Sequence, residues 1–396
     1  MPSTQRFDIT RVKLKHYRSI GECDVKLEPL TILVGPNGSG KSNFVDSLRL
    51  VSQALDENLD NALRERGGAA EVRRRSNGHP THFTVDLTFE SADYSGTYMF
   101  QIGASQGGEY RVARESCRVR PAGAMVDGDH WYEVRDGKVI DSSYDTAMPP
   151  ASEDRLYLVN AAALPHFRSV FDGLSDVNVY NLNPGVMREP QRPDAGDLLR
   201  RDGANIASVL EHLQRNDPAT KAKIEDYLQL VVPGTTGASR VSYGAYESIA
   251  FRQKVAGRKD TWTFPATSMS DGTLRALGVL VALFSRGNHG YSPIGIEEPE
   301  TALHPAAAGL LLEALQTASE DRQVIATSHS PELLDSADLK PHNILAVRAD
   351  GGVTTIGEVD EVTAKSIEDK EFTAGELLRV DQLQPNQVFS QPGLFA

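Results

Sequence analysis

Gly35-Pro36-Asn37-Gly38-Ser39-Gly40-Lys41-Ser42 lies between the apolar run Leu30-Thr31-Ile32-Leu33-Val34 and a stretch in which Phe44, Leu48, Val51 and Leu55 recur four, three and four residues apart. The run predicts a buried strand and the recurrence predicts one face of a helix. The eight residues between them fit G-x-x-x-x-G-K-[ST], a turn whose glycines let successive backbone N–H groups point inward at a polyphosphate. Lys41 brings a positive charge toward the β- and γ-phosphates, Ser42 offers a hydroxyl to Mg²⁺, and the helix N-terminus attracts anions. An unliganded glycine turn is the plainer reading. A chance match is on the order of one in a hundred for such a composition, and the flanking strand and helix lower it further.

Composition narrows what surrounds this loop. The chain has 396 residues, 41 Lys and Arg against 54 Asp and Glu, and a formal charge of −13. With 40% apolar and 24% charged residues it reads as a globular chain, neither disordered nor collagen-like. The longest apolar run, Ala276 to Phe284, falls well short of the ~20 residues a membrane-spanning helix needs. The start, MPSTQRFDITRVK, has no apolar secretory core. Cys23 and Cys117 alone make neither a disulfide framework nor a four-ligand zinc site. The expectation is a cytoplasmic protein without a membrane element. Its acidity argues against a globally basic surface and leaves local arginines to make any DNA contact: Arg73-Arg74-Arg75 with Arg64 and Arg66, and Arg111, Arg114, Arg118 and Arg120. Solvated surface is the commoner reading of such clusters.

Alternation predicts strands around Ile9–Tyr17 and Val25–Leu27, and antiparallel β structure from Phe83 to about Ile140. Leu59 to His82 is charged and reads as an irregular excursion. After Pro149-Pro150 the pattern turns helical, with Ile206, Val209, Leu210 and Leu213 on one stripe. Asp217-Pro218 follows as a cap and first helical residue. Two strands, near Ser248–Gln253 and Thr261–Phe264, flank the polar turn Gly257–Asp260. Beyond Ser270 the order helix, strand, helix, strand, helix, with strands at Pro293–Ile296 and Gln323–Thr327, implies parallel strands joined by crossover helices. There is no internal repeat and no sustained heptad pattern, so no long coiled coil is expected.

Three further elements carry chemistry. Ile294-Gly295-Ile296-Glu297-Glu298-Pro299 is an apolar strand ending in two carboxylates: Glu297 is read as the metal-directed acid and Glu298 as the group that orients or deprotonates water. Ser328-His329-Ser330 ends another strand, where His329 can sense a γ-phosphate or simply neighbour a helix cap. Ser268 to Arg275 precedes an apolar helix, and Ser270 and Gly272 there make either an anion site or an ordinary cap.

The order of these motifs resembles the soluble ABC-type ATPases of the RecF, SMC and OLD group. The resemblance rests on His16-Tyr17-Arg18-Ser19-Ile20, Gly35–Ser42 continuing into Asn43, Met269-Ser270-Asp271-Gly272-Thr273, Ile296-Glu297-Glu298-Pro299-Glu300, Leu303-His304-Pro305 and Ala326–Pro331. It implies an α/β P-loop NTPase fold: an ABC-type ATPase head with an antiparallel β lobe and a helical insertion. Expected units are residues 1–160 (phosphate loop and β insertion), 161–268 (helical and β insertion), 269–350 (signature, paired acids and switch histidine) and 351–396 (an extension). The resemblance further implies ATP and Mg²⁺ as cofactors. Lys41, Glu298 and His329 would be catalytic, and Ser42 and Glu297 would hold the metal. Gly35, Pro36, Asn37, Gly38, Ser39, Gly40, Lys41, Ser42, Asn43 and Arg18 would contact nucleotide, while Ser270 and Gly272 would act on a partner's nucleotide in a sandwich homodimer. Thr301 to Leu303 would link the two sites. Glu297 stands where many relatives carry Asp, and Gln191 is read as a polar loop residue or else as a candidate for their coupling glutamine. No Asp-x-Asp pair after an isolated catalytic Glu occurs beyond His329, so a Toprim nuclease is expected only as a separate subunit.

The leading expectation is an ATP-hydrolysing dimeric switch in DNA maintenance or in defence against phage or plasmid, gating an effector protein or a DNA contact. The alternative is an ATP-binding scaffold with negligible turnover that holds an effector inactive. A transporter's nucleotide-binding subunit fits poorly, given the β insertion and the distance from phosphate loop to Ser270.

Overall fold

A computed structural model describes residues 6–75, 80–104, 109–123, 128–145, 148–286, 290–336 and 338–386. Its strands are β1 (Phe7–Tyr17), β2 (Ile20–Lys26), β3 (Leu30–Val34), β4 (His82–Ser91), β5 (Tyr94–Ala104), β6 (Tyr110–Pro121), β7 (His130–Arg135), β8 (Lys138–Ser142), β9 (Asn178–Tyr180), β10 (Thr235–Tyr243), β11 (Tyr246–Lys254), β12 (Thr261–Pro265), β13 (Ile294–Glu297), β14 (Val324–Ser328), β15 (Ile344–Asp350) and β16 (Val353–Glu358). Thirteen of them form one sheet, in the order β8-β7-β6-β5-β4-β1-β2-β16-β15-β3-β14-β13-β9; β10-β11-β12 form a second.

The large sheet changes character along its length. From β8 to β2 it is an antiparallel meander with alternating burial, as the sequence between Phe83 and Ile140 requires. From β15 to β9 it is parallel, and β3 is buried at every position because helices cover both faces. The helix Lys41–Gln53 lies on one face, where Phe44, Leu48 and Val51 are at most 1% exposed. Burying such a side chain stabilises the fold by about 1.5–3 kcal/mol. On the opposite face lie Asp271–Phe284 and Ala308–Asp321. Every residue from Thr273 to Phe284 is buried, which accounts for the long apolar run.

Several expectations are corrected. The excursion after Leu59 holds two short helices, Leu59–Arg64 and Ala69–Val72, joined to the preceding helix through a π-turn at Ala54–Asn58. Leu59, Ala62 and Leu63 point into the core, a sparse apolar stripe that the surrounding charges mask. Four strands went unread: β9, too short for periodicity, β10, and both strands of the β15–β16 hairpin. Asp217 does cap its helix, accepting from Thr220 N–H, with Pro218 following. The β15–β16 hairpin straddles the boundary expected at 350, and β16 lies inside the large sheet between β2 and β15. Part of the expected extension, 387–396, lies outside the described residues.

Candidate functional site

Strand register builds the site. Val34 of β3 pairs with Ser328 of β14, and Thr327 pairs with Glu297 of β13. The three C-terminal ends are therefore level, and the phosphate loop, His329 and Glu298 leave the sheet side by side, where parallel sheets bind ligands.

The loop itself is cramped and braced. Gly40 has φ 106°, and a Cβ there would meet Thr354 Oγ1 at 2.2 Å. At Gly35 a Cβ would lie 2.0 Å from the Val347 carbonyl oxygen. Lys41 is 5% exposed, and its Nζ donates to the carbonyls of Gly35 (2.7 Å) and Pro36 (3.0 Å), arching over the loop. Burial pushes this ammonium below its ordinary pKa, while Glu298 and Glu300 act to hold its charge. Ser39 Oγ is buried without a hydrogen-bond partner, and Ser42 is exposed on the helix's first turn. A cradle of glycines, a buried cation and an unmatched hydroxyl suits a polyphosphate.

Across from it, Glu298 adopts φ 45°, a strained conformation for a non-glycine residue. Its N–H donates to Thr327 O and lies 3.1 Å from Thr327 Oγ1. Arg275 of the helix Asp271–Phe284 clamps the other side, donating to the carbonyls of Leu182 (2.7 Å), Glu297 (2.9 Å) and Glu298 (2.9 Å). The Glu298 carboxylate lies 3.3 Å from His329 Nδ1. Glu300 is buried: Oε1 accepts from Ser328 Oγ at 2.6 Å and from His329 N–H at 3.4 Å, and Oε2 has no partner. Glu297 Oε1 pairs with Arg201 at 3.0 Å.

Lys41, Ser42, Glu297, Glu298 and His329 thus gather at one end of the sheet. One hydroxyl and one carboxylate, Ser42 and Glu297, would suit Mg²⁺ of the kind held by one or two protein oxygens plus substrate phosphate. Among the described residues no cluster of three or more His, Cys, Asp or Glu side chains makes a self-sufficient metal cage.

The remaining predicted residues are each held by neighbours of their own. Asn43 Nδ2 donates to Ser19 Oγ at 2.6 Å. Arg18 pairs with Asp46 at 3.0 Å, one helical turn beyond Ser42, and Tyr17, fully buried, donates to the same carboxylate. Ser270 caps its helix, accepting from Thr273 N–H at 3.2 Å. Gly272 packs against the Ala302 carbonyl, where a Cβ would come within 2.3 Å, so the predicted linking loop Thr301–Leu303 touches the signature helix. Gln191 is buried in the insertion, where its amide donates to Met187 O and accepts from Ala207 N–H, engaged there rather than at the phosphate loop.

The arginine clusters are largely neutralised within the chain. Arg111 pairs with Asp136, Arg114 with Glu133, and Arg118 and Arg120 with Asp129. Arg64 pairs with Asp60, Arg66 with Asp46 and Arg75 with Glu71. Arg275 and Arg201 escaped the sequence reading. Arg275 is marked only by following Ser270 by five residues, and Arg201 by nothing local.

Residues 185–335 match the family described as AAA domain, putative AbiEii toxin, Type IV TA system, and residues 8–99 match AAA ATPase domain. The DNA replication and repair protein RecF of Bifidobacterium adolescentis is 33% identical over 105 residues, 26% of this chain and 24% of that protein. The Old nuclease of Escherichia phage P2 is 22% identical over 354 residues, 83% of this chain and 57% of that protein. The chain therefore spans about a quarter and somewhat over half of these relatives' lengths. Among solved structures, an SMC head bound to the C-winged helix domain of ScpA has a TM-score of 0.54 at 15% identity, covering 90% of this chain and 99% of that one. A Smc head with an extended coiled coil, bound to the C-terminal domain of ScpA derived from Pyrococcus furiosus, has a TM-score of 0.52 at 12% identity, covering 92% and 99%. These two likenesses concern the fold. No helix among the described residues is long and apolar enough to cross a membrane.

Proposed function

As an ABC-type ATPase of the RecF, SMC and OLD group, this chain, we propose, binds and hydrolyses Mg-ATP as a homodimeric switch that gates an effector protein or a DNA contact in DNA maintenance or in defence against phage or plasmid. The observation that carries the reading is the levelling of three parallel strand ends, which sets Lys41, Glu297, Glu298 and His329 around one loop. Backbone N–H groups of Gly35–Ser42 and the Lys41 ammonium bind the phosphates. Ser42 and Glu297 would hold Mg²⁺, which would supply positive charge against the phosphates. Glu298 accepts the proton of a water whose oxygen bonds to the γ-phosphorus as the bond to the bridging oxygen breaks, releasing ADP and phosphate. His329, 3.3 Å from Glu298, orients that carboxylate.

Ser270 and Gly272 stand at the N-terminus of the helix Asp271–Phe284 and serve the partner's nucleotide in this reading. Since Arg275 grips the Glu297 and Glu298 carbonyls from the same helix, closure of the dimer acts directly on the hydrolytic strand end. The arginine pairing weighs toward a protein effector, a nuclease among the candidates, over DNA.

The Arg201–Glu297 contact favours a second reading, a scaffold that binds ATP with negligible turnover, because the metal-directed acid is already paired. Two measurements together address both. ATP binding by calorimetry and phosphate release should both disappear in Lys41→Ala. Binding without release in the unmodified protein selects the scaffold, and turnover unaltered in Lys41→Ala overturns the site.

A further inference from the structure

We propose that Thr354, on the hairpin strand β16, is a positioning residue for nucleotide: it sets the orientation of the phosphate loop through the Ser39–Gly40 peptide. The inference rests on Gly35–Ser42 binding ATP, as proposed above.

Thr354 is 1% exposed and lies 315 positions from Ser39, yet its hydroxyl donates to the Ser39 carbonyl at 2.8 Å. The same oxygen lies 2.7 Å from Ser19 Oγ, which accepts from Asn43 Nδ2 at 2.6 Å. Thr354 N–H in turn donates to Ser19 O at 2.9 Å. A continuous chain of hydrogen bonds therefore runs from the first turn of the loop's helix, through Ser19 and Thr354, to the Ser39–Gly40 peptide just before that helix.

Its effect follows from peptide geometry. A trans peptide is planar, with C=O and N–H on opposite sides. Holding the Ser39 carbonyl toward Thr354 holds the Gly40 N–H away from it, on the side opposite the hairpin. Gly40 needs this restraint most: it sits at φ 106°, where glycine alone moves freely. Thr354 leaves no room for a Cβ there, so glycine supplies the close approach and the threonine removes the resulting freedom. The neighbouring strand β15 closes on the loop's other end, with Val347 O against Gly35. The hairpin thus grips the loop at both glycine ends, and the hydroxyl of Thr354 is the directional part of that grip.

Thr354→Val keeps the shape and removes the donor; Thr354→Ser keeps the donor and removes a methyl. In calorimetry and steady-state kinetics, Thr354→Val should weaken ATP binding and raise KM about tenfold, as expected when a buried acceptor loses its donor, with kcat within about twofold. Thr354→Ser should bind ATP within about twofold of the unmodified protein, and nucleotide-free melting of both variants reports whether they fold. ATP binding undiminished in a folded Thr354→Val overturns the inference, as does a Thr354→Ser as impaired as the valine variant, which makes the contact one of shape. If the valine variant does not fold, the serine variant decides alone by the same measure. Absence of ATP binding in the unmodified protein instead overturns the nucleotide reading on which this rests.

Discussion

Two carboxylates divide this molecule. Glu115, in the antiparallel meander, is fully buried and has four donors: the hydroxyls of Tyr98 (3.1 Å) and Tyr132 (2.9 Å), and the N–H groups of Tyr157 (2.5 Å) and Leu158 (2.8 Å). Glu298, at the parallel strand ends, is partly exposed and strained, and His329 Nδ1 lies 3.3 Å from its carboxylate. Beside it, Glu300 is buried with one oxygen unmatched. A saturated carboxylate can only hold structure together. Carboxylates left with spare lone pairs beside the Gly35–Ser42 loop are available to a ligand.

The largest effect tests the catalytic side. Glu298→Gln should lower kcat about 10²- to 10⁴-fold, the range for losing a general base, while ATP binding and melting temperature hold. Light scattering should then find an ATP-bound dimer accumulating; a strictly monomeric variant under ATP argues against the sandwich. Next, Glu115→Ala strands four donors and should destabilise the protein by about 3 kcal/mol in urea unfolding, with ATP affinity of the folded fraction unchanged. If it instead altered kcat at constant stability, the division drawn here would fail.

The smallest effect is one of pH. Burial pushes the Glu115 carboxyl up to about 7, against the pull of its four donors. The folded state therefore holds this proton more tightly than the unfolded chain does. The stabilisation is complete below the unfolded value of 4.5 and is lost as pH rises through about 7. Between pH 5 and pH 8 the protein should lose at most about 3 kcal/mol relative to Glu115→Gln, measured as the difference of their urea midpoints.

The same contrast explains what the sequence could reveal. Gly35–Ser42, Glu297–Glu298 and His329 were readable because each motif is local, and strand-end chemistry needs its residues contiguous with a strand. The meander was readable from alternation, and the apolar helix from Ala276 to Phe284. Glu115 was not, since it sits in a strand among arginines, and only the folded sheet brings Tyr98, Tyr132 and the 157–158 backbone to it. Arg201, Arg275 and Thr354 were hidden for the same reason: each meets its target across 22 to 315 positions, with no spacing rule to signal it. Gln191, read as a polar loop residue, is buried, because a glutamine beside a proline in a polar stretch gives no hint of burial.

The hairpin β15–β16 wedges between β2 and β3, strands only a few residues apart in the chain. Those two strands therefore cannot settle their final spacing until residues 344–358 have been made and inserted. During synthesis the ribosome has by then produced nearly all the described chain, so nascent protein passes through most of its length with the phosphate loop present but ungripped. On the proposed reading of Gly35–Ser42, nucleotide affinity is acquired late, once this hairpin is in place.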